Sequence, residues 1–275
     1  SGRTVASPVL ASELRQLKDP PARFIYLATT NPVTQYPDSA ALSRTLREVG
    51  FSVVADAFMT DTARAADLVL PVKLMLEEAD AVGSYQHQHV AMGDAVVEAP
   101  EGPRSDVAIV RALRQRLDLP PDPVLEDPAG TLAQMTRPWF RDGDQGPRRN
   151  PLQPSVPWRD RFQTPDGRAQ LVATWPEVPQ VDAEFPLLLQ TPPSRRWQTS
   201  QLTAREQTEP PDCLLHPSAA VAGVADGELA RLLSPIGEMT VRVRFDVQVW
   251  RGGCVVHRGG ALHLGRCVNR LVQAR

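Results

Sequence analysis

The stretch over residues 51–71, FSVVADAFMTDTARAADLVLP, constrains the fold more than any other part of the chain. Its first five residues are mostly apolar or β-branched, which predicts a strand that ends at Asp56. A short helix over residues 63–66 is expected next, with capping oxygens from Thr60, Asp61 and Thr62. A second apolar run over residues 68–71 follows. This order is typical of a parallel α/β sheet, in which ligands bind beyond the carboxyl ends of the strands, so residues 56–62 are a candidate binding loop.

The segment before this stretch has the same order. An apolar run over residues 23–28 predicts a strand, and the loop Thr29-Thr30-Asn31-Pro32 follows it. Ser39 is a suitable N-cap for a helix over residues 40–49, and Gly50 stands at the position where glycine often follows a helix. The first part of the chain is therefore predicted to be a parallel sheet with βαβ connections.

The middle of the chain is rich in proline. Ser105 is expected to cap a helix over residues 106–117, but 19 of the 27 prolines lie between residues 100 and 211. We therefore predict a loop-rich linker over residues 126–182. Aspartates are scattered among its arginines and tryptophans, which favours a solvated linker over a basic patch for nucleic acid.

The last third of the chain contains short apolar runs separated by glycine and proline. The alternation over residues 239–245, MTVRVRF, predicts a half-buried antiparallel strand. Other strands are predicted over residues 185–190, 213–217, 228–233, 247–250 and 254–256. Closely spaced short strands of this kind favour a compact barrel over a second βαβ layer.

Composition excludes several classes of function. The formal net charge is −2 and the pI about 6.2, so no basic field for nucleic acid is present. No apolar run approaches the roughly 20 residues of a membrane span, and the first residues show no signal-peptide or twin-arginine pattern. The three cysteines are far apart and form no iron–sulfur motif, which is typical of free thiols in a reducing compartment. We therefore expect a cytoplasmic protein with no Fe–S cluster in this chain.

The motifs of the first half, taken together, resemble a known family. The order Asn31-Pro32, then DAFMTDTARAADLVLP, then Glu77 is similar to the third domain of molybdopterin oxidoreductases related to formate dehydrogenase, nitrate reductase and polysulfide reductase. The resemblance implies a Rossmann-like domain that holds one guanine arm of the cofactor. It also implies cofactor contacts from Asn31, Asp56 and Asp106. Glu78 stands where several relatives carry Lys, so one contact to the nucleotide differs here.

The second half resembles the fourth domain of the same family, a six-stranded double-psi β-barrel that caps the pterins. The matching signs are a strand before Thr191, a loop that ends at Ser200-Gln201, and the closing Val268-Asn269. The cofactor contacts that this resemblance implies are Thr191, Arg195, Ser200, Gln201 and Asn269. Pro192-Pro193 replaces a common Gly-Arg pair, and residues 259–263 replace an aromatic-rich run.

Simpler roles stay open for these residues from the sequence alone. Asp56 could cap or solvate a strand end, and Asp106 could be a first-turn acid favoured by the helix dipole. Asn269 could close a turn near the end of the chain. His87 and His89 could share a strand face and bind a metal, but no third ligand is evident, so surface histidines are favoured and no metal ligand is assigned.

The resemblance implies a Rossmann-like domain over residues 1–125, a linker over 126–182 and a double-psi barrel over 183–275. It also implies molybdenum bis-molybdopterin guanine dinucleotide as cofactor. The cofactor would be shared with an N-terminal portion or partner subunit that carries the Fe–S cluster and the molybdenum ligand. Two other hypotheses are a non-catalytic paralogue that acts as scaffold or cofactor carrier, and an α/β protein for another nucleotide. The absence of a GxGxxG or P-loop motif disfavours the latter.

Overall fold

The computed structural model describes residues 4–84, 87–138, 140, 146–150, 158–171, 173–174, 181, 183–219 and 223–274. Contacts divide the chain into two compact units, one made of Ser1–Leu70 with Pro179–Arg275 and the other of Pro71–Val178. The first unit thus joins two segments that are distant in sequence. The domain boundaries implied by the resemblance stay a prediction.

The secondary structure alternates strands and helices in the first part and contains mainly strands in the last. The strands are β1 (Phe24–Ala28), β2 (Phe51–Ala55), β3 (Leu68–Leu70), β4 (Asp80–Val82), β5 (His89–Gly93), β6 (Arg148–Arg149), β7 (Leu188–Gln190), β8 (Asp212–Leu215), β9 (Leu229–Ser234), β10 (Gly237–Phe245) and β11 (Gly253–Val256). The helices are α1 (Leu10–Gln16), α2 (Pro32–Gln35), α3 (Ser39–Glu48), α4 (Asp61–Ala65), α5 (Asp106–Arg116), α6 (Pro123–Glu126) and α7 (Pro128–Thr136). Short 3₁₀ turns lie at Ser7–Val9, Met75–Glu77, Ala204–Glu206 and Val268–Arg270.

In the first unit, β1, β2 and β3 form a parallel sheet in that order. Helices α2 and α3 connect β1 to β2, and α4 connects β2 to β3, which confirms the predicted parallel α/β pattern. Buried residues of the helices form one apolar cluster, which consists of Ala11, Val33, Ala41, Leu42, Leu46 and Ala65. Each fully buried leucine contributes about 2 kcal/mol.

The same unit contains a mixed five-stranded sheet in the order β7–β11–β8–β10–β9. Strands β9 and β10 form an antiparallel hairpin, while β10 pairs in parallel with β8, and β11 pairs in parallel with β7. One apolar cluster joins strand residues of this sheet to two residues of the closing segment: Cys213, Leu215, Met239, Val241, Val243, Cys254 and Val256, with Val268 and Leu271. The six-stranded double-psi barrel stays a prediction, since the described residues of this sheet form five strands. The run over residues 247–250 forms a turn instead of the predicted strand.

The second unit contains a small sheet and α5, α6 and α7. Strand β5 pairs antiparallel with both β4 and β6. A parallel bridge between Val72 and Arg104 joins the start of the unit to the residue before the α5 cap. Ser105 caps α5 through a 3.1 Å hydrogen bond from the Ala108 amide, as predicted. The predicted linker contains α7. The prolines of this segment were interpreted as loop signals, but Pro128 is the first residue of the helix, a position that proline favours, and Asp127 caps it.

The predicted start of α3 needs correction, whereas Gly50 directly follows the C-cap Val49, as predicted. The N-cap of α3 is Asp38, whose carboxylate accepts from the Ala41 amide, whereas Ser39 is the first helical residue and is buried. Gly50 is required for close approach, since a Cβ there would lie 2.8 Å from the Arg23 carbonyl oxygen. Tertiary packing thus decided both positions. Among the described residues, none of the helices has the length and apolar character to cross a membrane.

Candidate functional site

The loop after β1 is tied to the start of α4 through Asn31. The Asn31 Oδ1 atom accepts a 2.7 Å hydrogen bond from the Thr62 hydroxyl and a 3.4 Å bond from the Thr62 amide. The Thr62 hydroxyl oxygen in turn accepts from the Val33 amide at 3.1 Å. Asn31 and Thr62 are both buried. Thus Asn31, a predicted cofactor contact, fixes two loops at the carboxyl edge of the parallel sheet.

Asp61 joins this edge to the C-terminal segment. Its side chain is 4% exposed, and its carboxylate accepts a 3.0 Å bond from the Thr34 hydroxyl. It also accepts from the Leu262 amide, and from the amide and Nδ1 of His263 at 3.1 and 2.6 Å. A buried carboxylate is stable only when its oxygens are satisfied, and these four donors meet that need. The carboxylate thus holds residues 262–263 against the loop after β1.

The closing segment of the chain makes further contacts with Thr34. The Asn269 side-chain amide donates a 2.8 Å hydrogen bond to the Thr34 carbonyl oxygen, and the Cys267 thiol lies 3.6 Å from the same oxygen. Cys267 also lies 3.2 Å from the Ser39 hydroxyl, and burial raises the pKa of its thiol. Asn269, a predicted pterin contact, is buried, and its side-chain amide nitrogen is bonded to Thr34.

The loop after β7 reaches the same edge. The Gln35 amide at the end of α2 donates a 3.1 Å hydrogen bond to the Ser200 hydroxyl. Thr191 follows β7 directly and is partly exposed, and Arg195 and Gln201 are exposed. The structure therefore brings Asn31, Ser200 and Asn269 to one edge of the parallel sheet through their contacts with residues 33–35 and 62, and it leaves Arg195 and Gln201 accessible.

Asp56 lies at the end of β2 and is partly exposed. Its two oxygens accept from the Phe58 amide at 3.0 Å and from the Thr60 hydroxyl at 3.3 Å. Thr60 caps α4 through the Ala63 amide, so the helix begins at Asp61, two residues before the predicted start. Asp56 therefore orders the loop that leads into α4 and retains an accessible carboxylate.

Asp106 is the first residue of α5, in the second compact unit. Its Oδ1 atom is buried and accepts no hydrogen bond from the part of the chain that the structure describes. Burial raises the pKa of nearby Glu78, an effect that Asp106 adds to and Lys73 opposes. This carboxylate oxygen therefore retains the capacity to accept a hydrogen bond.

Sequence reasoning missed the importance of several buried polar residues. Asp61 and Thr62 were expected to cap α4, and Thr34 and His263 were assigned no role in binding. Their partners are distant in sequence: Asp61 contacts Thr34, 27 positions away, and His263, 202 positions away. No local pattern encodes such pairs. The described residues contain no group of three or more His, Cys, Asp or Glu side chains placed to hold a metal ion.

Comparison with known proteins agrees with this arrangement. A family model described as "Molybdopterin oxidoreductase" matches residues 4–116. Residues 4–116 are therefore similar to the molybdopterin oxidoreductase family. The matched range includes Asn31, Asp56 and Asp106, and it ends at the last residue of α5.

Two curated relatives extend the similarity over most of the chain. The chain is 26% identical over 255 residues to the F420-dependent formate dehydrogenase subunit alpha of Methanocaldococcus jannaschii, which covers 84% of this chain and 37% of that protein. It is also 26% identical over 277 residues to the probable oxidoreductase YoaE of Bacillus subtilis, with 88% and 39% covered. The chain thus spans less than half the length of these two relatives.

A solved structure shows the same fold. Acetylene hydratase from Pelobacter acetylenicus superposes with a TM-score of 0.73 at 20% identity, and covers 99% of this chain and 43% of that protein. This likeness supports the fold alone, a parallel α/β sheet together with a five-stranded mixed sheet.

Proposed function

We propose that this chain is the C-terminal cofactor-binding part of a molybdopterin-dependent oxidoreductase. It binds the guanine arm of molybdenum bis-molybdopterin guanine dinucleotide through the loops of the parallel sheet, and its barrel half covers the pterins. The metal ligand and the Fe–S cluster belong to a separate part of the protein or to a partner chain. The chain's share of less than half of its relatives' length supports this division.

One observation carries the proposal. The Asn269 amide donates to the Thr34 carbonyl oxygen at 2.8 Å, and Asn31 and Thr34 belong to the loop and helix that follow β1. Residues that the resemblance assigns to the two halves therefore meet at the carboxyl edge of the parallel sheet. In α/β proteins this edge is where nucleotides and their attached groups bind.

The donor and acceptor chemistry fits a guanine base. A guanine edge presents the N1 and N2 hydrogens, which a carboxylate accepts as a bidentate pair. Asp106 offers a buried oxygen without a hydrogen-bond donor in the described residues, and Asp56 offers a partly exposed carboxylate. Either carboxylate would hold the base, so the two sites are tested separately.

The barrel side offers groups that fit a pterin. Ser200 is held at this edge by Gln35, and the exposed Gln201 and Arg195 are next to it in the same loop. Amide and hydroxyl groups suit the polar edge of a pterin, and an arginine suits a phosphate. When bound, the cofactor would supply two-electron redox chemistry at its metal. The residues of this chain would bind and orient it and exclude water.

Titration of the full 275-residue chain with the guanine dinucleotide form of the pterin tests the proposal, with GMP and AMP as base-specific probes. We expect saturable binding of the dinucleotide and of GMP, and at least tenfold weaker binding of AMP. Each charge-assisted hydrogen bond is worth about 1.5–3 kcal/mol, so Asp106→Asn and Asp56→Asn should each weaken GMP binding about tenfold or more if that carboxylate holds the base.

Asp94→Asn is the matched control, because Asp94 is exposed and lies outside the predicted site. Its GMP affinity should equal that of the unmodified chain. Equal binding of GMP and AMP, or GMP binding that neither site variant weakens, would contradict the guanine assignment. Binding of the dinucleotide by a chain that never reconstitutes oxidoreductase activity with a ligand-carrying partner would favour the cofactor-carrier hypothesis.

A further inference from the structure

The second compact unit contains a cavity of about 400 Å³ beside α5. One wall consists of α5 residues spaced three or four apart, which therefore share a helix face: Ala108, Arg111, Ala112 and Gln115. The opposite wall consists of Lys73 and the segment Pro103, Arg104 and Ser105. Two backbone hydrogen bonds fix this wall, from the Lys73 amide to the Arg104 carbonyl oxygen at 3.1 Å and from the Arg104 amide to the Pro71 carbonyl oxygen at 3.2 Å.

The cavity has a concentrated positive charge. Lys73, Arg104 and Arg111 all line it, and no Asp or Glu is among the described lining residues. None of the three forms an ion pair with another described residue. Burial raises the pKa of Glu78, outside the lining residues, and the charge of Lys73 opposes that rise. Three neighbouring cations repel one another, and a bound anion would offset that repulsion.

The placement of the cations favours a tetrahedral anion over a planar one. Lys73 comes from an extended segment, Arg104 from the residue before the helix cap, and Arg111 from the second turn of α5. Donors from three different segments suit the separate terminal oxygens of a phosphate group. A single carboxylate has two oxygens in one plane and matches one arginine fork.

The remaining lining residues suit the same ligand. The Ser105 oxygen accepts from the Ala108 amide at 3.1 Å, which leaves its hydroxyl hydrogen to donate to a ligand. Pro103, Ala108 and Ala112 are apolar and lower the local dielectric, which strengthens charge interactions within the cavity. The volume is large enough for a phosphate group with a short ester or a second phosphate.

We propose that this cavity binds a small phosphate-bearing anion, a diphosphate or a phosphate ester, held by Lys73, Arg104 and Arg111. The site does not depend on the proposed cofactor function. Asp106 and Asp56, which define the guanine hypothesis, are not among the residues that line it.

Calorimetric titration of the full 275-residue chain with inorganic diphosphate tests this proposal, with citrate as a polyanion of carboxylates. We expect saturable diphosphate binding that weakens as salt is added, and citrate binding that is at least tenfold weaker. Lys73→Gln, Arg104→Gln and Arg111→Gln should each weaken diphosphate binding about tenfold, since each removes one charge-assisted contact. Circular dichroism spectra of the variants establish that they are folded.

Arg116→Gln is the matched control, because Arg116 belongs to the same helix, is exposed and does not line the cavity. Its diphosphate affinity should be unchanged. Absence of saturable binding would overturn the proposal, and so would equal weakening by Arg116→Gln or citrate binding as tight as that of diphosphate. GMP titrations of the same variants distinguish the two proposals. If GMP binding is lost in Asp106→Asn and retained in Arg111→Gln, the guanine site and the phosphate site are separate.

Discussion

The carboxylate of Asp61 lies 2.6 Å from Nδ1 of His263, a residue 202 positions further along the chain. Asp61 follows β2 by six positions, and His263 belongs to the closing segment of the unit. Because the carboxylate also accepts from Thr34, this single side chain joins the loops of both sheets. The edge that we propose as the cofactor site is thus built by buried polar contacts.

Removal of the Asp61 carboxylate should destabilise the first unit strongly. Asp61→Ala leaves buried donors unsatisfied, which costs about 3 kcal/mol or more in the free energy of unfolding, and Asp61→Asn should cost less. Urea denaturation followed by circular dichroism measures both values. Asp56→Ala is the control, because the Asp56 side chain bonds only to its own loop among the described residues. Equal stability of the two alanine variants would show that Asp61 does not join the segments.

Gly259 should tolerate no side chain, because its backbone has a φ of +115° and lies against another loop. An added Cβ would lie 2.2 Å from the Thr199 carbonyl oxygen and 2.5 Å from Trp197 Nε1. We expect Gly259→Ala to lower the free energy of unfolding by about 2–4 kcal/mol through strain and overpacking. Gly265→Ala isolates the strain, since Gly265 also has positive φ, +69°, but nothing lies within 4 Å. That variant should lose about 1–2 kcal/mol. A loss at Gly259 no greater than this would exclude the close contact.

The Ser52–Asp67 pair should make stability depend on pH. The Ser52 amide and hydroxyl donate to Asp67 Oδ2 at 2.8 and 2.9 Å, and the amide bond, followed by the hydroxyl bond, lowers the pKa of Asp67. Since the folded pKa lies below the unfolded one, this stabilisation is present above the unfolded carboxyl pKa and is lost as pH falls through the folded pKa.

Asp67→Asn should therefore lower the melting temperature at neutral pH, and the difference from the unmodified chain should shrink as the pH falls. Thermal unfolding between neutral pH and about pH 3 measures this, with Asp94→Asn as a control that has no such trend. A melting-temperature difference that stays constant over this range would contradict the role assigned to Asp67.

Alanine variants of Gln201 and Asn269 should differ in their effect on stability, although both should weaken cofactor binding. Gln201 is exposed, so Gln201→Ala should weaken binding of the guanine dinucleotide form of the pterin without change in stability. Asn269 is buried and its amide holds Thr34, so Asn269→Ala should also lower the free energy of unfolding by about 1–3 kcal/mol. Calorimetric titration and urea denaturation on both variants test the pair. Unchanged cofactor affinity in Gln201→Ala would remove that residue from the site.

The local features of the fold could be predicted from the sequence because they depend on neighbouring residues. The β-branched run of β2, the Thr60 cap of α4 and the Ser105 cap of α5 are encoded within a few positions, and so is the alternation of β10. The resemblance of the first part to molybdopterin oxidoreductases was also readable, since Asn31-Pro32 and Asp56 occur in order along the chain. Predicted boundaries failed where packing intervened, as at Ser39, which is buried against Cys267.

What the sequence by itself determined is the order of strands and helices, the resemblance to a family, and which polar residues follow the strands. Only the tertiary structure decided what those residues contact: Asn31 meets Thr62, Asp61 meets His263, and Asn269 meets Thr34. The physical reason is that burial makes each polar group require a partner, and the nearest partner is set by how distant segments pack rather than by sequence spacing.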